Sequence, residues 1–271
     1  MRRVLPLGVA VVVGFGLLTQ TSSSSGGAAP APTHGRIVAL NANQSTNWSG
    51  YNQGALEQGL TLFNQVAADW TVPTATQHTA KQAESSSTWI GIGGGCITAD
   101  CLVTDPTLIQ AGTEQDVDAA GHATYFAWFE LVPLPGLQVN MTVRPGDTIH
   151  VDIREVIPAS EIWSIKINDK TNGQSFGITV PYPSTKGSAE WIVETPLTVG
   201  TGGAGLSTMP NLSTVHFDNA TRNGANARLK SSEELQLVNG SQIVATPSAP
   251  DSDTDGFNAC TYATSCAIPA S

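Results

Sequence analysis

The sequence predicts an all-β protein, an antiparallel sandwich or barrel, and three observations carry that prediction. Short runs rich in β-branched and aromatic residues recur along the chain, separated by Gly, Pro, Asn and Asp. No segment combines a long apolar pattern of period 3.6 with helix caps. Charged residues make up only 13% of the 271 residues, replaced by Gly, Ser, Thr, Asn and Gln, which suits many turns and not a helical bundle.

The expected strands, in order, are 65–72, 87–92, 124–132, 148–156, 163–168, 175–180, 189–194 and 234–238. Asn172-Gly173 reads as a hairpin turn, and Val143-Arg144-Pro145-Gly146-Asp147 as a turn opening the strand at Thr148. Residues 246–256 are rich in Pro, Ser and Asp and read as a surface loop. At the N-terminus, Arg2 and Arg3 precede an apolar run over 4–18, the pattern of a secretory signal. Residues 1–30 are therefore expected to be a signal peptide and 31–46 a disordered leader. A single β domain over 47–271, with a disulfide-bearing tail, completes the expected layout.

Export makes the four cysteines readable as disulfides, and no Cys-x-x-Cys or paired His supports a metal reading. Local pairing, Cys96 with Cys101 and Cys260 with Cys266, is the simplest of three connectivities. The net charge of −10 argues against nucleic acid or an anionic membrane surface as partner. Acid would discharge such a chain, so an acidic working environment fits it.

Several motifs fail on context. Gly173-Gln174-Ser175-Phe176-Gly177 matches a nucleophile elbow, but a hairpin turn precedes the serine and a strand follows it. Asp251-x-Asp253-x-Asp255-Gly256 resembles the start of a calcium loop, yet Tyr262 stands where a bidentate Glu is expected, and a solvated acidic loop is the simpler reading. The five histidines form no zinc-protease spacing, and neither Asp-Thr-Gly nor Asp-Ser-Gly occurs.

Three segments remain: Thr88-Trp89-Ile90-Gly91-Ile92-Gly93-Gly94 with Leu108-Ile109-Gln110-Ala111-Gly112-Thr113, then Tyr125-Phe126-Ala127-Trp128-Phe129-Glu130, then Ser188-Ala189-Glu190-Trp191-Ile192-Val193-Glu194. At strand period, Glu190 shares a face with Ser188, Ile192 and Glu194, where apolar neighbours would raise its pKa. Leu108, Gln110 and Gly112 share another face, from which a neutral amide could donate to a developing oxyanion. Phe126, Trp128 and Glu130 share a third, suited to gripping an extended peptide. Spacing alone does not bring Gln110 to Glu190.

These segments, with Asn47-Trp48-Ser49-Gly50-Tyr51, Ala68-Asp69-Trp70-Thr71-Val72-Pro73 and Val215-His216-Phe217-Asp218-Asn219-Ala220, resemble the glutamic endopeptidases of the eqolisin family (peptidase family G1), in their bacterial branch. The resemblance covers roughly residues 47 to 245. It implies a sandwich of two bent antiparallel sheets, concanavalin-like or jelly-roll in type, with the cleft on the concave face. It also implies a catalytic pair at Glu190 and Gln110, cleft positions at Trp89, Glu130 and Trp128, polypeptide substrates, and neither cofactor nor metal. Gly93 stands where fungal members carry an acidic residue, which bears on subsite preference. A secreted monomer acting in acid is expected. Two other readings stay open: a noncatalytic carbohydrate-binding sandwich, and a glycoside hydrolase using Glu130 and Glu190 as its two carboxylates.

Overall fold

A computed structural model of the protein describes residues 33–200 and 203–271. The expected signal peptide lies outside these residues. None of the described helices is long and apolar enough to cross a membrane. Every expected strand is present within a few residues of its expected bounds, and the longest, Glu84–Gly93, Leu108–Val117 and Ala123–Val132, each run ten residues.

Two antiparallel sheets stack face to face. The first runs Trp48–Gly54, Ser188–Glu194, Glu84–Gly93, Leu108–Val117, Ala123–Val132 and Leu137–Gln138, each paired with the next. The second runs Ser175–Pro181, Ile162–Asp169, Thr148–Glu155, Gln65–Thr71, Val215–Arg222, Phe257–Thr261 and Gln242–Pro247. Strand Glu234–Asn239 joins them: its first residues pair with Tyr51 and Gly50, and its last with Gln242–Pro247. This architecture matches the expected sandwich.

The two-residue period of each strand decides what is buried where. Ile90, Ile92, Ile109, Ala111, Ala127, Phe129, Ala189, Trp191 and Val193 face inward from the first sheet. They meet Val66, Ala68, Trp70, Ile149, Val151, Trp163, Ile165 and Phe217 of the second in one continuous core. The alternate residues of the first sheet, including Trp48, Trp89, Leu108, Trp128 and Ile192, build a second apolar cluster on its opposite face.

Asn172-Gly173 makes the expected hairpin turn, with Gly173 at φ +76° and the Asp169 carboxylate accepting the amides of Thr171 and Asn172. Ser175 begins an exposed strand, so its motif carries no nucleophile. Both local disulfides, Cys96–Cys101 and Cys260–Cys266, are formed.

One expectation is corrected. Residues 33–46, expected to be a disordered leader, are part of the fold. Thr33 exchanges two backbone hydrogen bonds with Leu197, His34 is only 2% exposed, and Ala39–Asn41 pairs with Gln44–Ser45. The Pro- and Ala-rich composition ends at Pro32. After it, Ile37 joins the apolar cluster on the outer face of the first sheet, while Val38 and Leu40 stay exposed.

The C-terminal part is clamped to the core by aromatic stacking. Phe217 lies 4.7 Å from Phe257 with rings 10° from parallel, and 5.9 Å from Trp70. Phe217→Ala should therefore cost about 3–5 kcal/mol of stability, read from urea unfolding midpoints.

Candidate active site

The register of the first sheet assembles the site row by row. Residues directly opposite one another in an antiparallel sheet point to the same face. One row across it is Asn52, Glu190, Gly91, Gln110 and Glu130. The next is Gly50, Ile192, Trp89, Gly112 and Trp128, and the third Trp48, Glu194, Ser87, Glu114 and Phe126. The five residues singled out from sequence (Glu190, Gln110, Glu130, Trp89 and Trp128) thus stand in two adjacent rows on one face.

Glu190 and Gln110 are separated by a single strand, whose residue between them is Gly91. Two strand spacings put their backbones roughly 10 Å apart. A Cβ at Gly91 would sit 2.9 Å from Trp89 Cζ3 and 3.1 Å from Leu108 Cδ1, so the floor between the two side chains is packed and apolar. Gly112 is equally constrained, since a Cβ there would meet the Thr88 carbonyl at 2.2 Å.

Glu190 is fully buried, and neither of its carboxyl oxygens has a hydrogen-bond partner. Its roof is the Gly94–Cys96 segment. The Asn52 side chain holds that segment by accepting from the Cys96 amide at 2.8 Å and donating to the Cys96 carbonyl at 2.9 Å. A Cβ at Gly95 would come within 2.5 Å of Glu190 Oε1, so only glycine fits there. Burial pushes the Glu190 carboxyl well above the usual range, with the nearby Ser188 hydroxyl and Gly95 amide offsetting part of the shift.

Gln110 is also buried. Its Nε2 donates to Glu130 Oε2 at 3.2 Å and to the His34 carbonyl at 3.3 Å, while its Oε1 has no partner. Glu130 accepts the His34 amide at 3.1 Å, and burial raises its pKa to about 8. Glu194 is gripped from both sides. Trp89 Nε1 donates to its Oε2 at 2.8 Å, and Trp48 Nε1 and the Gly35 amide reach its Oε1 at 3.3 Å. Burial nevertheless raises Glu194 to about 8. Glu114 is pushed well up by burial and by the charges of Asp116 and Glu194.

An extended segment of the chain itself lies across these rows. Besides the contacts of Thr33 and His34, Ile37 donates to the Gly94 carbonyl at 3.0 Å, and Val38 donates to Asn47 Oδ1 at 2.8 Å. The His34 ring stacks on Trp128, with centroids 3.7 Å apart and planes 7° from parallel. Its Nδ1 lies 3.3 Å from Glu194 Oε2 and its Nε2 3.4 Å from Glu114 Oε2. Burial lowers the imidazole to about 3, with Asp116 opposing. The neutral imidazole hydrogen-bonds Glu194 through Nδ1, while Nε2 only faces Glu114, whose oxygens have no hydrogen-bond partner. A cavity of about 420 Å³, lined by His78, Met209, Val244 and Tyr262 among others, touches none of the three rows.

Sequence reasoning missed Glu114, Trp48, Asn52 and His34 as parts of the site. Extending the period-two pattern from Gln110 and Gly112 by one step reaches Glu114, and that signal was available. His34 gave none, because its segment reads as leader.

These carboxyls also set a pH dependence. Unfolded, they ionise near 4.3; folded, Glu130 and Glu194 hold their protons up to about 8. The folded state therefore binds more protons over that interval, and stability falls as pH rises through it. Above the unfolded imidazole value of about 6.5, His34 no longer contributes an opposing slope. Thermal unfolding should show Tm declining from about pH 6.5 to 8, and Glu194→Gln should flatten the decline. A Tm that climbs over this interval would contradict the assignment.

A family model described as the peptidase A4 family matches residues 46–262. No curated protein matches the chain. Among solved structures, scytalido-glutamic peptidase with a transition-state analogue inhibitor is similar at 19% identity and a TM-score of 0.61, covering 80% of this chain and 98% of that one. A second structure of that peptidase, with a peptide-based transition-state analogue, aligns at 20% identity and the same TM-score of 0.61, over 80% of this chain and 98% of the other. SCP-B, a member of the eqolisin family in complex with the tripeptide Ala-Ile-His, aligns at 18% identity and a TM-score of 0.58, also covering 80% and 98%.

Proposed function

Because the chain belongs to the peptidase A4 family, also called eqolisins or family G1, we propose that it hydrolyses peptide bonds in acid with Glu190 as general base and acid and Gln110 as oxyanion donor. One observation carries this reading. Gln110 Nε2 already donates to a backbone carbonyl, that of His34, in an extended segment lying across the rows. The site thus holds a peptide, and holds its carbonyl on the proposed donor.

Hydrolysis then proceeds without a covalent intermediate. With the segment displaced and water admitted, Glu190 as carboxylate takes a proton from water as the oxygen attacks the scissile carbonyl. The Gln110 amide donates to the oxygen as it becomes negative, and its neutrality makes that donation independent of pH. Protonated Glu190 then delivers its proton to the departing nitrogen. A group that both takes and gives a proton works best near its own pKa. Hydration on opening returns the Glu190 pKa toward the ordinary range, which supports acid operation. Trp128, Trp89 and Glu130 are read as the cleft surface for substrate side chains and backbone.

Geometry disfavours the two-carboxylate glycosidase reading. Glu190 and Glu130 lie three strand spacings apart, roughly 14 Å between backbones, with Gln110 between them. Retaining enzymes need carboxyl groups about 5 Å apart and inverting enzymes about 6.5–9.5 Å. Both disulfides support export to an oxidising compartment, and the secreted enzyme is read as a monomer.

The decisive test is cleavage of a denatured protein across acid to neutral pH. Wild type should cleave in acid; Glu190→Gln and Gln110→Ala, each shown to be folded, should lose about 100-fold or more. Folded wild type that cleaves nothing at any pH would refute the reading and favour a binding module.

A second expectation concerns the resident segment. A synthetic peptide spanning residues 33–38 should inhibit competitively. His34→Ala, which removes the ring from Trp128, should raise kcat/KM in the full chain. Noncompetitive inhibition by the peptide would place its binding site elsewhere.

A further inference from the structure

A second group of acidic residues converges outside the cleft. Asp218 lies on strand Val215–Arg222, and Asp251 and Asp255 on the loop before strand Phe257–Thr261. One carboxylate oxygen from each lies within 4.8 Å of the other two. The loop is Asp251-x-Asp253-x-Asp255-Gly256, which on sequence alone lacked the Glu that should close a calcium loop at its twelfth position. In the fold a carboxylate arrives from elsewhere: Asp218, on a neighbouring strand, faces the loop that Tyr262 could not complete.

The loop holds Asp251 in a fixed orientation. Its Oδ1 accepts the amides of Asp255 and Gly256, both at 3.2 Å, and its own amide donates to the Gly256 carbonyl at 3.0 Å. The other oxygen, Oδ2, is buried without any hydrogen-bond partner, in a residue only 5% exposed. A Cβ at Gly256 would fall 2.3 Å from that oxygen, so the glycine leaves room for the carboxylate. Asp255 is bonded by Asn226 Nδ2 at 3.0 Å, and Asp218 only by its neighbour Asn219. None of the ion pairs among the described residues gives any of the three a Lys, Arg or His partner.

An unpartnered buried carboxylate oxygen is costly, and two further carboxylates at this range repel it. A hard divalent cation would answer both problems. The donors are all oxygen, from an irregular loop and a strand, which suits calcium better than zinc or copper and better than octahedral magnesium. We propose that Asp218, Asp251 and Asp255 bind a calcium ion that fastens the C-terminal loop to strand Val215–Arg222. The proposal is independent of the peptidase reading. It would give the Phe217–Phe257 stack a second, electrostatic fastening, one residue from Phe217 and two from Phe257.

The test is calorimetric titration of calcium chloride into the chelator-treated full chain near neutral pH, together with Tm with and without calcium. One site is expected, at the weak end of protein calcium sites, with a dissociation constant of about 0.1–1 mM. Tm should rise with calcium by mass action. Asp255→Asn and Asp218→Asn should each weaken binding about tenfold or more, while Asp118→Asn, at an exposed turn that touches none of the trio, should change it less than about twofold. If Asp255→Asn does not fold, Asp218→Asn decides. Absence of binding heat with an unchanged Tm at about 10 mM calcium would overturn the proposal. So would wild-type affinity in Asp218→Asn.

Discussion

Register between five neighbouring strands is the constraint on which the site depends. Trp48–Gly54, Ser188–Glu194, Glu84–Gly93, Leu108–Val117 and Ala123–Val132 pair without a bulge over the rows that matter. A slip of one residue in any of them would exchange faces. In Ser188–Glu194 it would drive Glu190 and Glu194 into the core and expel Trp191 and Val193. The core therefore enforces the site: Ile90, Ile109, Ala111 and Trp191 can stay buried only if Gly91, Gln110, Gly112 and Glu190 face the other way. The glycines act within that constraint, because a side chain at 91 or 112 would collide with Trp89.

Holding several carboxyls in a buried face is expensive, and the structure meets the cost unevenly. Glu194 has two indole N–H donors and a backbone amide. Glu130 has Gln110 and the His34 amide. Glu190, by contrast, has nothing at hydrogen-bond geometry, and its remaining surroundings are the close backbone of Gly95. Native structures rarely leave a buried carboxyl so poorly satisfied unless the group is used. Glu114 is equally without donors in the third row, so it is Glu190's place in one row with Gln110, and not its lack of donors alone, that sets it apart.

The sheet pattern was legible because alternation of apolar and polar residues is a local signal, and the strand bounds followed from it to within a few residues. Glu190, Gln110, Trp89, Trp128 and Glu130 were legible by resemblance and by face, but their gathering into two adjacent rows was not. Which strands are neighbours is a property of topology, and the Ser188–Glu194 strand pairs with Glu84–Gly93 across about a hundred residues of chain. Residues 33–38 were illegible for a different reason. Nothing local distinguishes a leader from a segment that is ordered only because distant rows of the sheet receive it. Asp218 was illegible in the same way, since the loop motif at Asp251 cannot announce a ligand on another strand.

That received segment bears on how the protein works. Hydrolysis consumes water, yet Glu190 and Gln110 are both at 0% exposure while residues 33–38 lie across the rows. The closed arrangement is therefore a resting one for any hydrolytic role, and opening must do two things at once. It must admit water to a carboxyl that burial keeps protonated, and it must release the Gln110 amide from the His34 carbonyl. Both follow from a single displacement, because the same segment supplies the carbonyl and excludes the solvent. An incoming substrate strand would restore the carbonyl contact while bringing its own scissile bond, so the resident segment and a substrate compete for one set of hydrogen bonds. The contacts of His34 to Trp128, Glu114 and Glu194 then set the free energy that a substrate has to exceed.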